Sequence, residues 1–225
     1  MQPSAFTLLR GLSAADRDEL LDRARRRTFS PGEVVFHAGD PADALHLVRS
    51  GRFGIRLQTP FGDVATINVV GPGDAFGELA LLTPDAPRSA TVAALDAAET
   101  WCVHEVDFRR MRAQRPQVDA LLVELLSARV RDLSGQLLDA LHLPADLRVR
   151  RRLLDVLALY GAESGPVTVP LTQEDLASLA GTSRATVNRV LREEQAHGAV
   201  ELQRGRTVVL DGDAIRRRAH PFSTT

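Results

Sequence analysis

Lysine does not occur in this chain of 225 residues, so all 28 cationic side chains are arginine. That bias follows genomic composition and carries no functional reading. Cysteine occurs once, at Cys102, which excludes an internal disulfide and leaves a cysteine-held cluster without ligands. On an expected strand, Cys102 reads as a core residue rather than a redox switch. No apolar run approaches the length that spans a bilayer, and every long helical segment is interrupted by Arg or Asp. Met1 to Gly11 lacks a charged stretch followed by an apolar one, so no secretory signal is expected. His37, His46, His104, His142, His197 and His220 are scattered, with no close pair at metal-ligand spacing and no cysteine partner. No nucleophile–base constellation is visible either. These absences point to a cytoplasmic protein with no membrane partner, no metal and no enzymatic activity.

The chain is long enough for two domains, and its mixed charge is that of an ordinary globular protein. The net charge of −1 hides an asymmetry: residues 1–144 carry 16 Arg against 19 acidic residues, and residues 145–225 carry 12 Arg against 10. A mildly basic C-terminal part is compatible with nucleic acid without arguing for it alone.

Residues 4–27 read as short helices, with Leu8, Leu9 and Leu12 followed by Ser13 as an N-cap and then Leu20 and Leu21. From Thr28 the pattern changes. Short apolar or alternating runs (Val34–Phe36, Leu45–Val48, Phe53–Leu57, Ala65–Val69) are separated by turns at Pro31-Gly32, Ala38-Gly39-Asp40 and Phe61-Gly62-Asp63. Ala90 to Val103 supplies two more strands. Many short strands at near-regular spacing indicate a β-sandwich or β-roll.

A long helix is expected from about Asp107 to His142, kinked or restarted at Pro116, which cannot donate the helical hydrogen bond. Beyond Pro116, Leu122, Leu126, Val130, Leu133, Leu137 and Leu141 recur at spacings of three and four, the narrow stripe of a coiled-coil seam. Packing of this stripe on the chain's own β-roll is the alternative to dimerisation. Polar residues cover the rest of the helix, which favours the dimer. His142 to Asp146 reads as a hinge, with Pro144 preventing a continuous helix. A helix over about 146–160, a strand at Val167–Val169, two short helices and a hairpin should follow. The hairpin pairs Val200–Leu202 with Thr207–Leu210.

Leu171 to Leu191 carries the strongest functional signal. Thr172 can cap a first helix whose apolar side is Leu176, Leu179 and Ala180, and Gly181 supplies the turn. Ser183 then caps a second helix with inner positions Val187, Val190 and Leu191. Its opposite face presents Arg184, Ala185, Asn188, Arg189 and Arg192, with Thr186 beside them. Arginines near the start of such a helix suit guanine, because guanidinium offers two parallel donors to O6 and N7. The hairpin around Gly205 would form a wing, with Arg204 and Arg206 placed for phosphates. An ordinary helical hairpin with a solvated charged face is the competing reading, and the wing directly after it favours DNA.

A second motif runs Gly73-Asp74-Ala75-Phe76-Gly77-Glu78-Leu79-Ala80-Leu81-Leu82, followed by Pro87-Arg88-Ser89-Ala90-Thr91-Val92. Gly77 permits close backbone approach, and free N–H groups leading into Leu79 can face an anion. Glu78 is an acceptor suited to a ribose 2′-hydroxyl, while Arg88 and Ser89 can clamp one phosphate. A purely structural ion pair of Glu78 with Arg88 is the alternative. With Thr182-Ser183-Arg184-Ala185-Thr186-Val187-Asn188-Arg189, this motif makes the chain resemble the CRP/FNR regulators over about residues 5–215.

The resemblance implies an α+β protein: a cyclic-nucleotide-binding, jelly-roll-like β-roll over residues 1–106, a long dimerisation helix and hinge over 107–143, and a winged helix-turn-helix over 144–225. It also implies a homodimer on a pseudo-palindromic operator in double-stranded DNA, its two recognition helices about 34 Å apart. Cyclic AMP or a related nucleotide would be the effector, biasing the hinge near Pro144, and RNA polymerase a partner in activation. Two departures bear on this. Members that respond to cyclic AMP carry a hydroxyl pair on the long helix, where this chain has Leu133 and Ser134. Ser134 can still donate to a base, whereas Leu133 cannot and adds to the seam. Many members carry Glu where Ala185 stands, and a methyl cannot accept from cytosine N4. An effector-independent regulator with a vestigial pocket therefore stays open within the family. A nucleotide-binding interaction module without a DNA role, or an enzyme using Glu78 or a Ser/His pair, are the readings from other classes.

Overall fold

The computed structural model describes residues 6–59, 62–82, 86–161 and 165–220, with the backbone alone at Ala80 and Leu81. Phe61 of one expected turn, and residues 4 and 5 of the expected first helix, lie outside the described residues. The chain packs as two compact units, Met1–Leu57 with Val69–Leu133 and Gln58–Asn68 with Ser134–Thr225.

The first unit opens with a 3-10 turn, Thr7–Leu9, and α1, Ala14–Arg23, whose N-cap Ser13 accepts from the Asp16 amide. The helix stops at Ala24, and Arg25–Phe29 forms strand β1 instead of continuing the helix expected to residue 27. The reason is tertiary: β1 pairs antiparallel with β8, Ala98–His104, from Arg25 opposite Cys102 to Phe29 opposite Ala98. As an outer strand it leaves its three arginines exposed, and charges of this kind protect an edge from further pairing.

The remaining strands are β2 (Val34–Phe36), β3 (Ala44–Ser50), β4 (Phe53–Gln58), β5 (Val64–Val70), β6 (Ala75–Phe76) and β7 (Thr91–Ala94). They form two four-stranded sheets, ordered β1-β8-β3-β6 and β2-β7-β4-β5. Strand β3 is buried on both sides, and its period of two sorts the core. Leu45 and Leu47 face a cluster with Leu8, Leu9, Leu20, Val103 and Phe108. Val48 faces the interior of the roll, with Phe29, Phe53, Phe76 and Val92. Each fully buried Leu or Phe contributes about 1.5–3 kcal/mol.

Helix α3, Glu105–Gln114, ends at Arg115, whose extended backbone is what the residue before a proline adopts. Helix α4, Gln117–His142, restarts beyond Pro116, as expected from the sequence.

In the second unit α5, Ala145–Ala158, follows Pro144 and buries Leu147, Val149, Leu153, Val156 and Leu157. Helices α6, Gln173–Ala180, and α7, Arg184–Ala196, come next. Strands β9 (Val167–Val169), β10 (Val200–Gln203) and β11 (Arg206–Val209) make an antiparallel sheet ordered β10-β11-β9. A further helix, α8, Gly212–Ala219, was not anticipated. Half of its eight residues are charged, and the apolar signal reduces to Ala214, Ile215 and Ala219.

Candidate functional sites

The N-terminal site is built where β6 ends. Phe76 pairs with His46 of β3, and the chain then turns at Gly77 with φ +86°. Glycine is required there twice over. The dihedral is one that L side chains resist, and an added Cβ would lie 2.6 Å from Arg88 Nη1 and 3.2 Å from the Ala44 carbonyl. That closeness measures how tightly Arg88 is drawn in. The guanidinium donates from Nη1 to the Gly77 carbonyl at 3.0 Å, and from Nη2 to the Ala44 carbonyl at 2.7 Å and Asp43 Oδ1 at 2.9 Å. It also lies over the Phe36 ring, 4.1 Å from its centroid.

Glu78 is 1% exposed and Arg88 3% exposed. They do not form a direct pair among the described ion pairs. Instead, Glu78 Oε1 accepts from Arg129 Nη1, whose Nη2 donates to the Ala75 carbonyl at 2.7 Å. Burial pushes the Glu78 carboxyl above the usual carboxylate range, and the charges of Arg129 and Arg88 pull it back. Two buried polar atoms here have no partner among the described residues: Glu78 Oε2, an acceptor, and Arg88 Nε, a donor. Such atoms normally find partners, and this pair matches a ligand that brings one hydroxyl donor and one anionic acceptor. Leu79 and Ser89 flank the two residues and are exposed. The helix after Glu78, α2, is a single turn, Leu79–Leu82, so Arg88 rather than a helix terminus supplies the positive field. Ser134 and Leu133 are exposed positions on α4.

His46 stacks on Phe76 at 4.9 Å between ring centroids and shares a hydrogen bond between Nδ1 and Thr100 Oγ1. Burial, then Arg88 and Arg27, push its pKa down to about 3, so it stays neutral and serves packing. Cys102 is half-buried, and burial pushes its thiol pKa up, which leaves it little nucleophilic character.

On α4 the structure redistributes the expected seam. Leu122 is buried in the first unit's own core beside Val118. Val123 is exposed in its place, with Val130, Leu133, Leu137 and Leu141 exposed further along, and Leu126 is half-buried.

The C-terminal site follows the sequence closely. Thr172 caps α6 through a capping box with Asp175, and Gly181 closes it at φ +58°. Ser183 caps α7 by accepting from the Thr186 amide and also bonds Thr186 Oγ1. The hydroxyls of Thr172 and Ser183 are thus engaged in holding helix ends. Val187, Val190 and Leu191 point inward, while Arg184, Ala185, Arg189 and Arg192 are exposed. Asn188 is half-buried and donates to Gln173 of α6 at 3.1 Å, and Arg189 pairs with Glu193 at 2.7 Å. The strands β10 and β11 turn at Arg204-Gly205, with Gly205 at φ +74°. Arg204 is exposed, and Arg206 bonds the Gln203 side chain at 2.6 Å. One guanidinium ties this unit to its hinge: Arg148 donates to the carbonyls of Leu143 at 2.8 Å, Ala180 at 2.9 Å and Gly181 at 2.8 Å.

Sequence reasoning missed Arg129 and Arg148. Both sit among other arginines on helices, and no local pattern separates a guanidinium that reaches a distant carbonyl from one in solvent. Among the described residues there is no cluster able to hold a metal ion, and no helix long and apolar enough to cross a membrane.

Residues 26–115 match the cyclic nucleotide-binding domain family, and residues 147–218 match the Crp-like helix-turn-helix domain. The chain is 33% identical over 213 residues to the Cyclic AMP receptor protein of Thermus thermophilus, covering 94% of this chain and 96% of that one. It is 31% identical over 194 residues to the CRP-like cAMP-activated global transcriptional regulator of Mycobacterium tuberculosis, covering 85% and 86%. Among solved structures it is similar to the Thermus thermophilus catabolite activator protein, with 30% identity, a TM-score of 0.53, and coverage of 96% and 100%.

Proposed function

The chain belongs to the CRP/FNR family of transcription regulators, and from that premise we propose that it is a homodimeric activator whose operator binding is set by a cyclic nucleotide. The observation that carries this reading is the pair of buried atoms in the Gly73–Val92 motif that have no partner among the described residues, Glu78 Oε2 and Arg88 Nε. They fit a 3′,5′-cyclic nucleotide: the ribose hydroxyl donates to Glu78, and the cyclic phosphate accepts from Arg88 with help from Ser89. Gly77 and Leu79 shape the approach. Cyclic AMP is the first candidate, because the Mycobacterium tuberculosis relative is named as cAMP-activated.

Residues 1–106 then act as sensor, 107–143 as dimer helix and hinge, and 144–225 as the DNA-binding part. The α4 surface supports a parallel pair. Val123, Val130 and Leu137 recur every seven residues, and Leu126, Leu133 and Ala140 follow three positions behind. Val123 and Val130 at the first position with Leu126 and Leu133 at the second fit the pattern that favours two parallel strands, and the third repeat, Leu137 with Ala140, departs from it. Such a dimer places two α7 helices on an operator of matching symmetry, with Arg184 and Arg189 toward bases and Arg192, Arg204 and Arg206 toward phosphates. RNA polymerase is the partner that activation requires.

A second reading, an effector-independent regulator, draws on two observations. Arg129 already occupies one oxygen of Glu78, and the apolar Leu133 strengthens the seam without ligand. Calorimetric titration of the purified chain with cyclic AMP separates the two. The proposed function expects saturable binding that Arg88→Ala reduces at least tenfold; no binding up to millimolar nucleotide supports the second reading.

A further inference from the structure

The inner stripe of α7 does not end on an apolar residue. Val187, Val190 and Leu191 are fully buried, and the next position on that face is Glu194, with 0% exposure. Its carboxylate collects guanidinium groups from two other helices. Arg150 of α5 donates from Nε to Oε1 at 2.7 Å, and Arg218 of α8 donates to both oxygens, with Nε at 3.0 Å from each. Arg150 also reaches Glu193 at 3.1 Å and Asp146 at 3.2 Å, so the cluster is closed on the α5 side. Hydrogen bonds from Arg218 and Arg150 outweigh the burial that opposes the Glu194 charge, and hold its carboxyl below the usual range.

An all-apolar stripe would bury this face at no desolvation cost, and such replacements of buried ion clusters are often neutral or stabilising. What an apolar stripe lacks is direction. Leucine and valine tolerate small rotations of a helix, whereas a carboxylate gripped from two sides fixes both the rotation of α7 and its position along the axis. A rotation of about 20° displaces atoms about 6 Å from a helix axis by about 2 Å, enough to turn a hydrogen bond into a non-bonded contact.

We propose that Glu194 is a positioning residue for DNA reading: with Arg150 and Arg218 it sets the angle at which the exposed face of α7 meets base edges. This rests on the reading of α7 as the recognition helix. The role is distinct from stability, because contacts to phosphates tolerate a small rotation and bidentate contacts to bases do not.

The test uses the full-length protein, a duplex selected by the wild type from a random library, and a scrambled duplex of equal length at one salt concentration. Glu194→Gln keeps the volume and should lower affinity for the selected site about tenfold, with scrambled-duplex affinity changed less than about twofold. The double variant Glu194→Leu with Arg150→Leu should recover the thermal midpoint but not the ratio of the two affinities. Arg218→Gln, on a more exposed side chain, should lower the ratio in the same direction and keeps the test alive if Glu194→Gln fails to fold. A wild-type ratio in Glu194→Gln or in Arg218→Gln overturns the proposal, as does a ratio restored in the double variant. If the wild type selects no sequence, the assignment of α7 itself fails, which is a different result from an unchanged ratio.

Discussion

Replacing Arg129 by alanine removes the one cation hydrogen-bonded, among the described residues, to the Glu78 carboxylate, which is 1% exposed and has one oxygen without a partner there. Breaking one side of a buried pair typically costs about 3–5 kcal/mol, because the remaining charge stays desolvated. At 2–4 °C per kcal/mol for a chain of this size, that lowers the melting midpoint by roughly 6–20 °C at neutral pH. The loss has a defined pH dependence. Burial raises the folded pKa of Glu78 above its unfolded value, and the raising strengthens once the Arg129 charge is gone. The folded state then holds a proton that the unfolded state has released, so stability falls as pH rises through the unfolded pKa and on to the folded one. Below the unfolded value the penalty disappears. Scanning calorimetry of Arg129→Ala at several pH values between 4 and 8 should therefore show the deficit growing with pH. Adding Glu78→Gln should remove most of both the deficit and its slope, giving a coupling of about 2–3 kcal/mol. An Arg129→Ala variant that melts within about 2 °C of the wild type at every pH would refute the reasoning, since Glu78 would then be solvated.

Gly77→Ala places a methyl 2.6 Å from Arg88 Nη1 at a dihedral of +86°; nucleotide affinity measured by titration should fall at least tenfold, with about 1–3 kcal/mol lost in stability. Removing Arg148 leaves the carbonyls of Leu143, Ala180 and Gly181 without their shared donor. Arg148→Ala should raise hydrogen exchange at the turn between α6 and α7 and lower operator affinity, while an unchanged exchange rate there would remove it from the hinge. Leu133→Asp adds a charge to the exposed apolar row of α4; sedimentation should show a dimer for the wild type and a monomer for the variant. Arg204→Ala should reduce the slope of log affinity against log salt by about 0.9, the release expected for one phosphate contact.

The fold was legible where a local signal coincided with the tertiary role. Ser13, Thr172 and Ser183 are caps in the sequence and caps in the structure, because a side chain reaching an amide three residues on needs no distant partner. Pro116 and Pro144 mark the helix boundaries for the same reason. Strand β1 was misread since three consecutive arginines carry no β signal of their own, and only pairing with β8 makes them a strand. Leu122, expected on the dimer seam, lies in the first unit's own core. Leu122 and Val123 are both apolar, and which of them faces the first unit's core depends on the packing of α3 and the first turns, not on spacing. Between residues 73 and 92, Gly77, Glu78 and Arg88 were readable as a motif, but their partners were not. Arg129 and Asp43 reach them from 51 and 45 residues away, and the expected Glu78–Arg88 alternative gave way to two separate arrangements.

The central claim, that a nucleotide in the roll controls DNA reading, is tested most directly by operator binding of the purified protein with and without cyclic AMP at one fixed salt concentration. Salt has to be constant because phosphate contacts make affinity steeply dependent on it. The account predicts a gain in operator affinity of about tenfold or more on adding cyclic AMP, abolished in Arg88→Ala. Tight operator binding that is the same with and without the nucleotide would contradict it.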